Sequence, residues 1–188
     1  MNELWTRIET LLARLAPGVR DVLGTPVSDA DLRAVFTPDA PQDCDLADSL
    51  RVHDGQRHGL LPVVEPWILL NAARIADERV RLVRSLLENP EIDPDLGSDT
   101  VGPVKGDVWN TRWIPFASDG SGNFLCVDLD PDEGGRVGQV ILWASDPPYV
   151  EVIATSYRAW LEEFQVDLEA GRFVWDEDQE SWERRAER

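Results

Sequence analysis

Lysine is almost missing from this sequence of 188 residues. Only Lys105 carries an ammonium group, and lysine and arginine together number 18 against 36 aspartates and glutamates, for a formal net charge of −18. Nucleic acids and anionic lipid surfaces bind proteins through basic surfaces, so the composition argues against both as partners. It favours a basic protein partner, with the alternative that the acidity serves only solubility.

Cysteine is also scarce. The two cysteines, Cys44 and Cys126, are too few for a disulfide framework, and their spacing matches no metal-binding motif. Cys126 falls within a strand pattern and is predicted to be a small buried residue. The sequence therefore implies neither a metal nor another cofactor.

Long apolar runs are absent too. No stretch reaches the roughly 20 apolar residues that a membrane-spanning helix needs. Residues 1–15 are amphipathic with arginines inside the segment, a pattern that does not match a signal peptide. A hydrophobic content of 43% with 8 tryptophans nevertheless supplies a sizeable core. We expect a soluble cytoplasmic protein without membrane contact.

The most informative segment is 109–143, which reads WNTRWIPFASDGSGNFLCVDLDPDEGGRVGQVILW. Apolar residues alternate along 124–129 and again along 137–143, which is the period of a β-strand. The stretches 118–123 and 130–135 are rich in glycine, aspartate and proline, and are predicted to be turns. Strands joined in this way should pair as an antiparallel meander.

On both sides of this segment, apolar residues recur at the spacing of an α-helix. The predicted helices cover 4–15, 28–36, 46–53, 66–87 and 155–168, and short strands are predicted at 60–64, 149–153 and 173–175. In the fourth helix a stripe at helical spacing is predicted to face the core, namely Leu69, Ala73, Ala76, Val80, Val83 and Leu87. A neighbouring set is predicted to widen that stripe, namely Ile68, Ala72, Ile75, Leu82 and Leu86. Residues 37–43 and 90–107 are predicted to be loops.

These elements together predict an α+β fold, in which an antiparallel meander sheet packs against several helices. A single domain is expected over residues 1–175, followed by a charged tail over 176–188. Within that tail Trp182 is the only large apolar side chain.

One acidic motif opens like a calcium-binding loop. Asp128, Asp130 and Asp132 alternate, but such a loop needs glycine at its sixth position and glutamate at its twelfth, where this chain has Glu133 and Gln139. The motif is therefore interpreted as a solvated acidic hairpin and not as a metal site.

Other candidates for chemistry are weaker still. His53 and Asp54 could form an acid–base pair, but no nucleophile motif accompanies them, and His53 is predicted to be packed and hydrogen-bonded near a glycine helix cap. His58 is predicted to lie in a loop.

Gly120-x-Gly122 lacks the third glycine, the lysine and the helix of a phosphate-binding loop. Acids on the last helix are predicted to form a solvated face, namely Glu162, Glu163, Asp167 and Glu169.

The order of short motifs resembles the SUKH superfamily, which contains the yeast-type Smi/Knr cell-wall assembly regulators and many bacterial proteins. The motifs are WIPFA at 113–117, DGSGN at 119–123, LCVDLDP at 125–131 and GGRVGQV at 134–140. Looser likeness lies upstream, in SDADL at 28–32 and LRVHDGQ at 50–56, so the resemblance covers residues 20–170 or so. It implies a SUKH-like α+β fold.

The resemblance also implies a protein-binding module without enzymatic activity. Bacterial members of the superfamily are linked to neutralising toxins, which suggests an immunity protein that binds a basic toxin domain. The yeast-type members suggest instead a regulatory scaffold related to cell-wall assembly. A small-molecule enzyme is a third alternative, for which no catalytic group passes its spacing test.

The expected contact surface is acidic. We place Asp119, Asp128, Asp130, Asp132 and Glu133 on it, because exposed carboxylates steer a basic partner into contact. Trp109 is a sixth candidate, since a rigid amphipathic ring suits an interface, whereas Trp113 and Trp143 are predicted to be core.

Overall fold

The computed structural model describes residues 1–36, 44–57, 61–88, 97–176, 178–179 and 181–185. The helices are α1 (Asn2–Leu15), α2 (Pro17–Arg20), α3 (Asp29–Val35), α4 (Asp45–Leu50), α5 (Ala72–Glu88) and α6 (Tyr157–Glu169). The strands are β1 (Ile68–Leu69), β2 (Asp99–Val101), β3 (Trp113–Ser118), β4 (Phe124–Asp128), β5 (Gln139–Ser145), β6 (Pro148–Ala154), β7 (Phe173–Asp176) and β8 (Ser181–Arg184).

Six of these strands form one sheet in the order β1-β3-β4-β5-β6-β2. Strands β3 to β6 pair antiparallel in sequence order, which confirms the predicted meander and the α+β class. At the far edge β2 pairs with β6 in the parallel direction, with Thr100 opposite Val150. All five residues of the central strand β4 are buried, so both faces of the sheet are covered.

Aromatic contacts show which helices cover the two faces. The ring of Phe116 packs edge-on against Tyr157 and Trp160 of α6, with centroids 4.9 and 5.0 Å away. The guanidinium of Arg81 in α5 lies 5.9 Å from the ring centroid of Phe124. Helix α1 packs against α6, and α3 packs against α5. The sheet therefore lies between an α1–α6 layer and an α3–α5 layer.

Helix α5 begins later than predicted. The sequence places its first turn at Pro66, but Ile68 and Leu69 form the edge strand β1 opposite Ser118 and Ala117, and the helix starts at Ala72. Residues 68 and 69 were therefore wrongly assigned to the helix. The local cause is capping, since Asn71 Oδ1 accepts from the backbone N–H of Arg74 at 2.9 Å.

The face that α5 buries also differs from the prediction. Its buried residues are Ala72, Ile75 and Leu82, which belong to the set expected only to widen the stripe. From the predicted central stripe, Val80 is 59% and Leu87 is 82% exposed. The predicted core stripe was therefore wrong at Val80 and Leu87, whereas Val83 is partly buried against the core. Both sets have helical spacing, so only the tertiary packing determines which one is buried.

Three further predictions need correction. Val64 only bridges to Trp67 and belongs to no strand, while Leu60 lies outside the described residues. Helix α4 ends at Leu50, so His53 follows the helix and does not lie on its face. The segment expected to be a loop over 90–107 contains β2, although its first residues, 90–96, are outside the described part, as are 37–43 and His58.

The predicted strand at 173–175 is confirmed as β7, but it has a partner that the sequence analysis did not foresee. Residues 181–184, expected in a charged tail, form β8 opposite β7. Trp182 is buried there, and its indole Nε1 donates to the carbonyl of Pro62 at 3.1 Å. Asp176 closes the turn by accepting from the backbone of Asp178 at 2.8 Å, which explains how a charged stretch reverses direction.

Among the described residues, no helix has the length and apolar character required to cross a bilayer.

Candidate protein-interaction surfaces

The buried carboxylate of Asp128 is a structural group and not part of the surface. Its side chain is fully buried at the end of β4, where Oδ1 accepts from the backbone N–H of Asp130 at 2.8 Å and Oδ2 from Gln139 Nε2 at 2.9 Å. Gln139 in turn donates to the carbonyl of Pro103 at 3.1 Å and accepts from the backbone of Arg136 at 3.1 Å. The prediction that Asp128 contributes to an exposed acidic surface was therefore wrong. Its carboxylate holds the β4–β5 loop together.

Burial raises the pKa of Asp128, and hydrogen bonds from Asp130 and Gln139 oppose the rise without cancelling it. The folded protein consequently holds this proton more tightly than the unfolded chain. Asp128 has a pKa of about 3.9 in the unfolded chain and a higher pKa in the folded protein. Between these two values the free energy of unfolding falls as pH rises. Above the folded pKa this destabilisation no longer changes with pH.

We therefore expect Asp128→Asn to change the pH dependence of stability. The wild type should lose stability relative to this variant as pH rises through the window, and the difference should become flat above it. Urea unfolding from acidic to neutral pH measures both proteins. If the wild type became more stable relative to Asp128→Asn as pH rises, the raised pKa of Asp128 would be contradicted.

Asp130 is neutralised by the only lysine in the sequence. Its carboxylate lies 2.7 Å from Lys105 Nζ and accepts from Asn110 Nδ2 at 2.9 Å. The hydrogen bond from Lys105 is the main reason that the pKa of Asp130 is lowered. Asp132 and Glu133 are exposed in the same loop, so they are the acids there that remain available to a partner.

Asp119 lies at the opposite end of β4 from this loop. It closes the β3–β4 turn by accepting from the backbone N–H of Ser121 at 2.8 Å and of Asn123 at 3.1 Å. Burial pushes its pKa upward, but hydrogen bonds from Ser121 and Asn123 outweigh burial and lower the pKa. Five strand residues separate the two loops, or about 17 Å. The predicted acids therefore do not form one continuous surface.

Trp109 is mostly buried, with 7% of its surface exposed. Its ring packs edge-on against Trp113 at 5.7 Å and Trp143 at 5.2 Å, and Trp113 and Trp143 are buried as predicted. Trp109 nevertheless contributes to the wall of an open groove of about 630 Å³ beside α5. The lining of this α5 groove is mainly apolar and includes Ala34, Ala76, Val80, Val83, Leu87 and Thr111.

The α5 groove was missed by the sequence analysis. The signal was present as the stripe of Ala76, Val80, Val83 and Leu87, but that stripe was assigned to the core. An arginine stabilises the floor, because Arg79 donates to the carbonyl of Val35 at 2.6 Å and to that of Thr111 at 3.2 Å. Burial lowers the pKa of Arg79, whose charge is used to join α5 to α3 and to the segment before β3.

His53 and Asp54 point to different partners and do not form an acid–base pair. The imidazole Nδ1 lies 2.9 Å from the carbonyl oxygen of Gly24, and Nε2 lies 3.1 Å from Glu9 Oε1. Asp54 Oδ1 instead accepts from the backbone N–H of Ala72 at 2.6 Å, at the start of α5. The expectation that His53 is packed and hydrogen-bonded is confirmed, although its acceptors are distant in sequence and not the last turn of α4.

The remaining candidates also have structural roles. Cys126 is fully buried, as predicted, and burial raises the pKa of its thiol. Gly120 and Gly122 have φ angles of 79° and 108°, which confirms the predicted turn. Asp167 is buried and bound by Arg172 at 2.6 Å, so it was wrongly placed on a solvated face. No group of three or more potential metal ligands occurs among the described residues.

Comparison with known proteins adds a family to this geometry. The model of the SMI1 / KNR4 family (SUKH-1) matches residues 43–163, which include the whole meander and most of α6. A cell wall biosynthesis/cell cycle regulator, smi1 of Schizosaccharomyces pombe, is 33% identical over 149 residues, covering 73% of this chain and 30% of its own length.

Two other fungal proteins are similar. A glucan synthesis regulatory protein of Neurospora crassa is 27% identical over 210 residues, covering 93% of this chain and 39% of its own length. The cell wall assembly regulator SMI1 of Saccharomyces cerevisiae is 33% identical over 89 residues, covering 47% of this chain and 18% of its own length. This chain thus spans well under half the length of these relatives. The family model matches more than half of the chain, and a relative is 33% identical over 73% of it, so the chain belongs to the SMI1/KNR4 (SUKH-1) family.

Proposed function

We propose that this chain is a regulatory protein-binding module without catalytic activity, acting in a process related to cell-wall assembly. The proposal rests on family membership, because the relatives described above are named as regulators of cell-wall or glucan synthesis. The predicted toxin-neutralising role has no counterpart among those relatives.

The observation that carries the proposal is that the candidate catalytic groups are all engaged in holding the fold. Asp54 caps α5, His53 ties α1 to the segment before α3, and Asp128 secures the β4–β5 loop. A catalytic acid or base needs access to a substrate proton, and these side chains are directed at the protein's own backbone and side chains. The described surface can therefore contact a partner through its shape and its charge.

We place one contact surface on the β4–β5 loop. Asp132 and Glu133 are exposed there, and Asp130 could join them only by releasing Lys105. Exposed carboxylates accelerate association with a basic partner and contribute less to the lifetime of the complex.

A toxin-neutralising role is the second candidate function. It is favoured by the net charge of −18 and by the exposed carboxylates of Asp132 and Glu133, which keep the loop acidic although Lys105 neutralises Asp130. Domains that cleave nucleic acid need basic surfaces to bind phosphate, and an acidic loop could cover such a surface.

One experiment tests the proposal and separates the two candidates. The chain is immobilised, partners are captured from its native cells, and association of the purified partner is followed at increasing salt. Asp132→Asn with Glu133→Gln should slow association about threefold to tenfold at low salt, with a much smaller effect at high salt. Glu162→Gln with Glu163→Gln, on the exposed face of α6, is the matched control.

The identity of the captured protein distinguishes the roles. A component of cell-wall synthesis supports the regulatory role, and a basic toxin domain supports the second candidate. Turnover of a metabolite by the purified chain, abolished by a single substitution, would contradict both. If the α6 control variant slowed association with the partner equally, the β4–β5 loop would not be the contact surface.

A further inference from the structure

Helix α5 carries two apolar rows, and only one of them is fully buried in the core, although Val83 of the other row is partly buried against it. The inner row, with Ala72, Ile75 and Leu82, is buried against the core. The outer row consists of Ala76, Val80, Val83 and Leu87. Val80 is 59% exposed and Leu87 82%, the largest exposure of any large apolar side chain in the described part of the chain. Exposed apolar patches of this kind mark contact surfaces.

The spacing of the outer row is that of a coiled-coil seam. Its members are separated by four, three and four residues, which keeps them on one line when two helices supercoil at about 20°. The described part of the chain places no helix on this line, and the α5 groove runs beside it between α5 and Trp109. The open, mainly apolar groove therefore lies where a second helix would pack.

The sizes of the side chains match a second α5 running in the opposite direction. In an antiparallel pair, Ala76 lies opposite Leu87 of the second copy, and Val80 lies opposite Val83. The facing pair of Ala76 and Leu87 and the facing pair of Val80 and Val83 then have similar total side-chain volumes, as close packing requires. A parallel pair would place Ala76 on Ala76 and Leu87 on Leu87, leaving a gap at one end and crowding at the other.

The charges beside the seam match the same arrangement. Asp77 and Arg84 each follow a seam residue directly, and both are exposed. In an antiparallel pair such positions face each other, so Asp77 lies beside Arg84 of the second copy, and the two-fold axis makes this contact twice. A parallel pair would instead bring Arg84 beside Arg79 of the second copy, with like charges in contact.

We propose that two copies of this chain associate through antiparallel α5 helices, each outer row filling the α5 groove of the other copy. The contact is separate from the acidic β4–β5 loop, so it goes beyond the proposed function. The row of 12 residues from 76 to 87 is about 17 Å long. A contact through one row this short is expected to give a reversible dimer that forms only as the concentration rises.

Sedimentation velocity over a concentration series of roughly 1–200 μM tests this pairing. The wild type should shift from monomer to dimer, and Val80→Asp should weaken the dimer at least tenfold, because it buries a carboxylate in the seam. Glu163→Arg, an exposed charge reversal on α6, should leave dimerisation unchanged. Circular dichroism checks that each variant is folded, which is expected because the altered positions are exposed.

Charge exchange provides the sharper test. Asp77→Arg alone and Arg84→Asp alone should each weaken self-association several-fold, because each places like charges together twice. A mixture of the two variants should form heterodimers, since both contacts are again between opposite charges, and the double variant should dimerise with itself.

Several results would overturn the pairing. They are a monomer across the whole series, a dimer that Val80→Asp leaves intact, and single variants whose mixture does not recover. A chain that stays monomeric but captures a regulatory partner would overturn the pairing and leave the proposed function standing.

Discussion

Replacing Ser49 with alanine should lower the free energy of unfolding by about 3 kcal/mol, since it strands two buried polar groups at once. Ser49 Oγ accepts from the indole Nε1 of Trp5 at 2.8 Å and lies 3.0 Å from the hydroxyl of Tyr157. All three residues are buried, so water cannot replace the lost hydroxyl. The three side chains belong to α1, α4 and α6, and the loss is therefore expected to loosen the whole layer on that side of the sheet.

Tyr157→Phe is the comparison that isolates this effect. It removes one end of the chain of hydrogen bonds but leaves Ser49 to accept from Trp5, so the expected cost is about 1 kcal/mol. Ser85→Ala, on the exposed face of α5, should change stability by less than about 0.5 kcal/mol. Urea unfolding followed by tryptophan fluorescence measures all three. Equal costs for Ser49→Ala and Tyr157→Phe would contradict the shared role of Ser49.

The second large effect is expected at Gln56, which organises the chain before α5. Its buried amide donates to the carbonyl of Leu61 at 2.8 Å and accepts from the backbone N–H groups of Val63 at 3.3 Å and Leu69 at 3.1 Å. Gln56→Met keeps the size of the side chain and removes all three contacts. At about 1–3 kcal/mol for each buried group left without a partner, the loss should be about 3 kcal/mol or more.

The structural consequence of Gln56→Met should be local to the sheet edge. Leu69 belongs to β1, so the variant is expected to detach β1 from β3 before the rest of the sheet opens. Hydrogen exchange should therefore show faster exchange at the backbone N–H of Leu70, which donates to the carbonyl of Phe116 at 2.8 Å. Gln165→Met is the control, at a partly exposed position of α6 where the amide donates only to the exposed Glu169, and it should cost less than about 0.5 kcal/mol. Unchanged exchange at Leu70 would contradict this role.

The sequence predicted the meander well because its signals are local. Alternation along β4 and β5 and the turn from Asp119 to Asn123 depend on residues within a few positions of each other. The edge strands β1 and β2 have two and three residues, and nothing in so short a stretch distinguishes a strand from a loop. Their pairing depends on tertiary contacts such as those of Gln56.

The candidate site was less predictable for a different reason. Composition identified the acids correctly but could not tell which of them are used inside the fold. Asp128 is bound by Gln139 and Asp130 is paired with Lys105, and these partners are 11 and 25 residues away in sequence. The separation of Asp119 from the β4–β5 loop was deducible, because successive turns of a meander lie at opposite ends of a strand.

The face of α5 was the clearest case in which periodicity alone is insufficient. Two rows with helical spacing lie side by side on this helix, and both contain alanine with larger aliphatic residues. The rotation of the helix is seen only in its tertiary contacts, such as those of Arg79 with Val35 and Thr111. The outer row contains Leu87, which has the highest exposed fraction of any large apolar side chain among the described residues.

The pairing of Lys105 with Asp130 has a consequence for labelling and for covalent modification. Acetyl groups and ubiquitin-like proteins attach to lysine amines, and this sequence provides a single internal acceptor. Attachment there would remove the cation that Asp130 faces across 2.7 Å and return a carboxylate to the solvent. An amine-reactive dye would report on the same contact, since its rate of reaction at this position depends on how often the lysine leaves its partner.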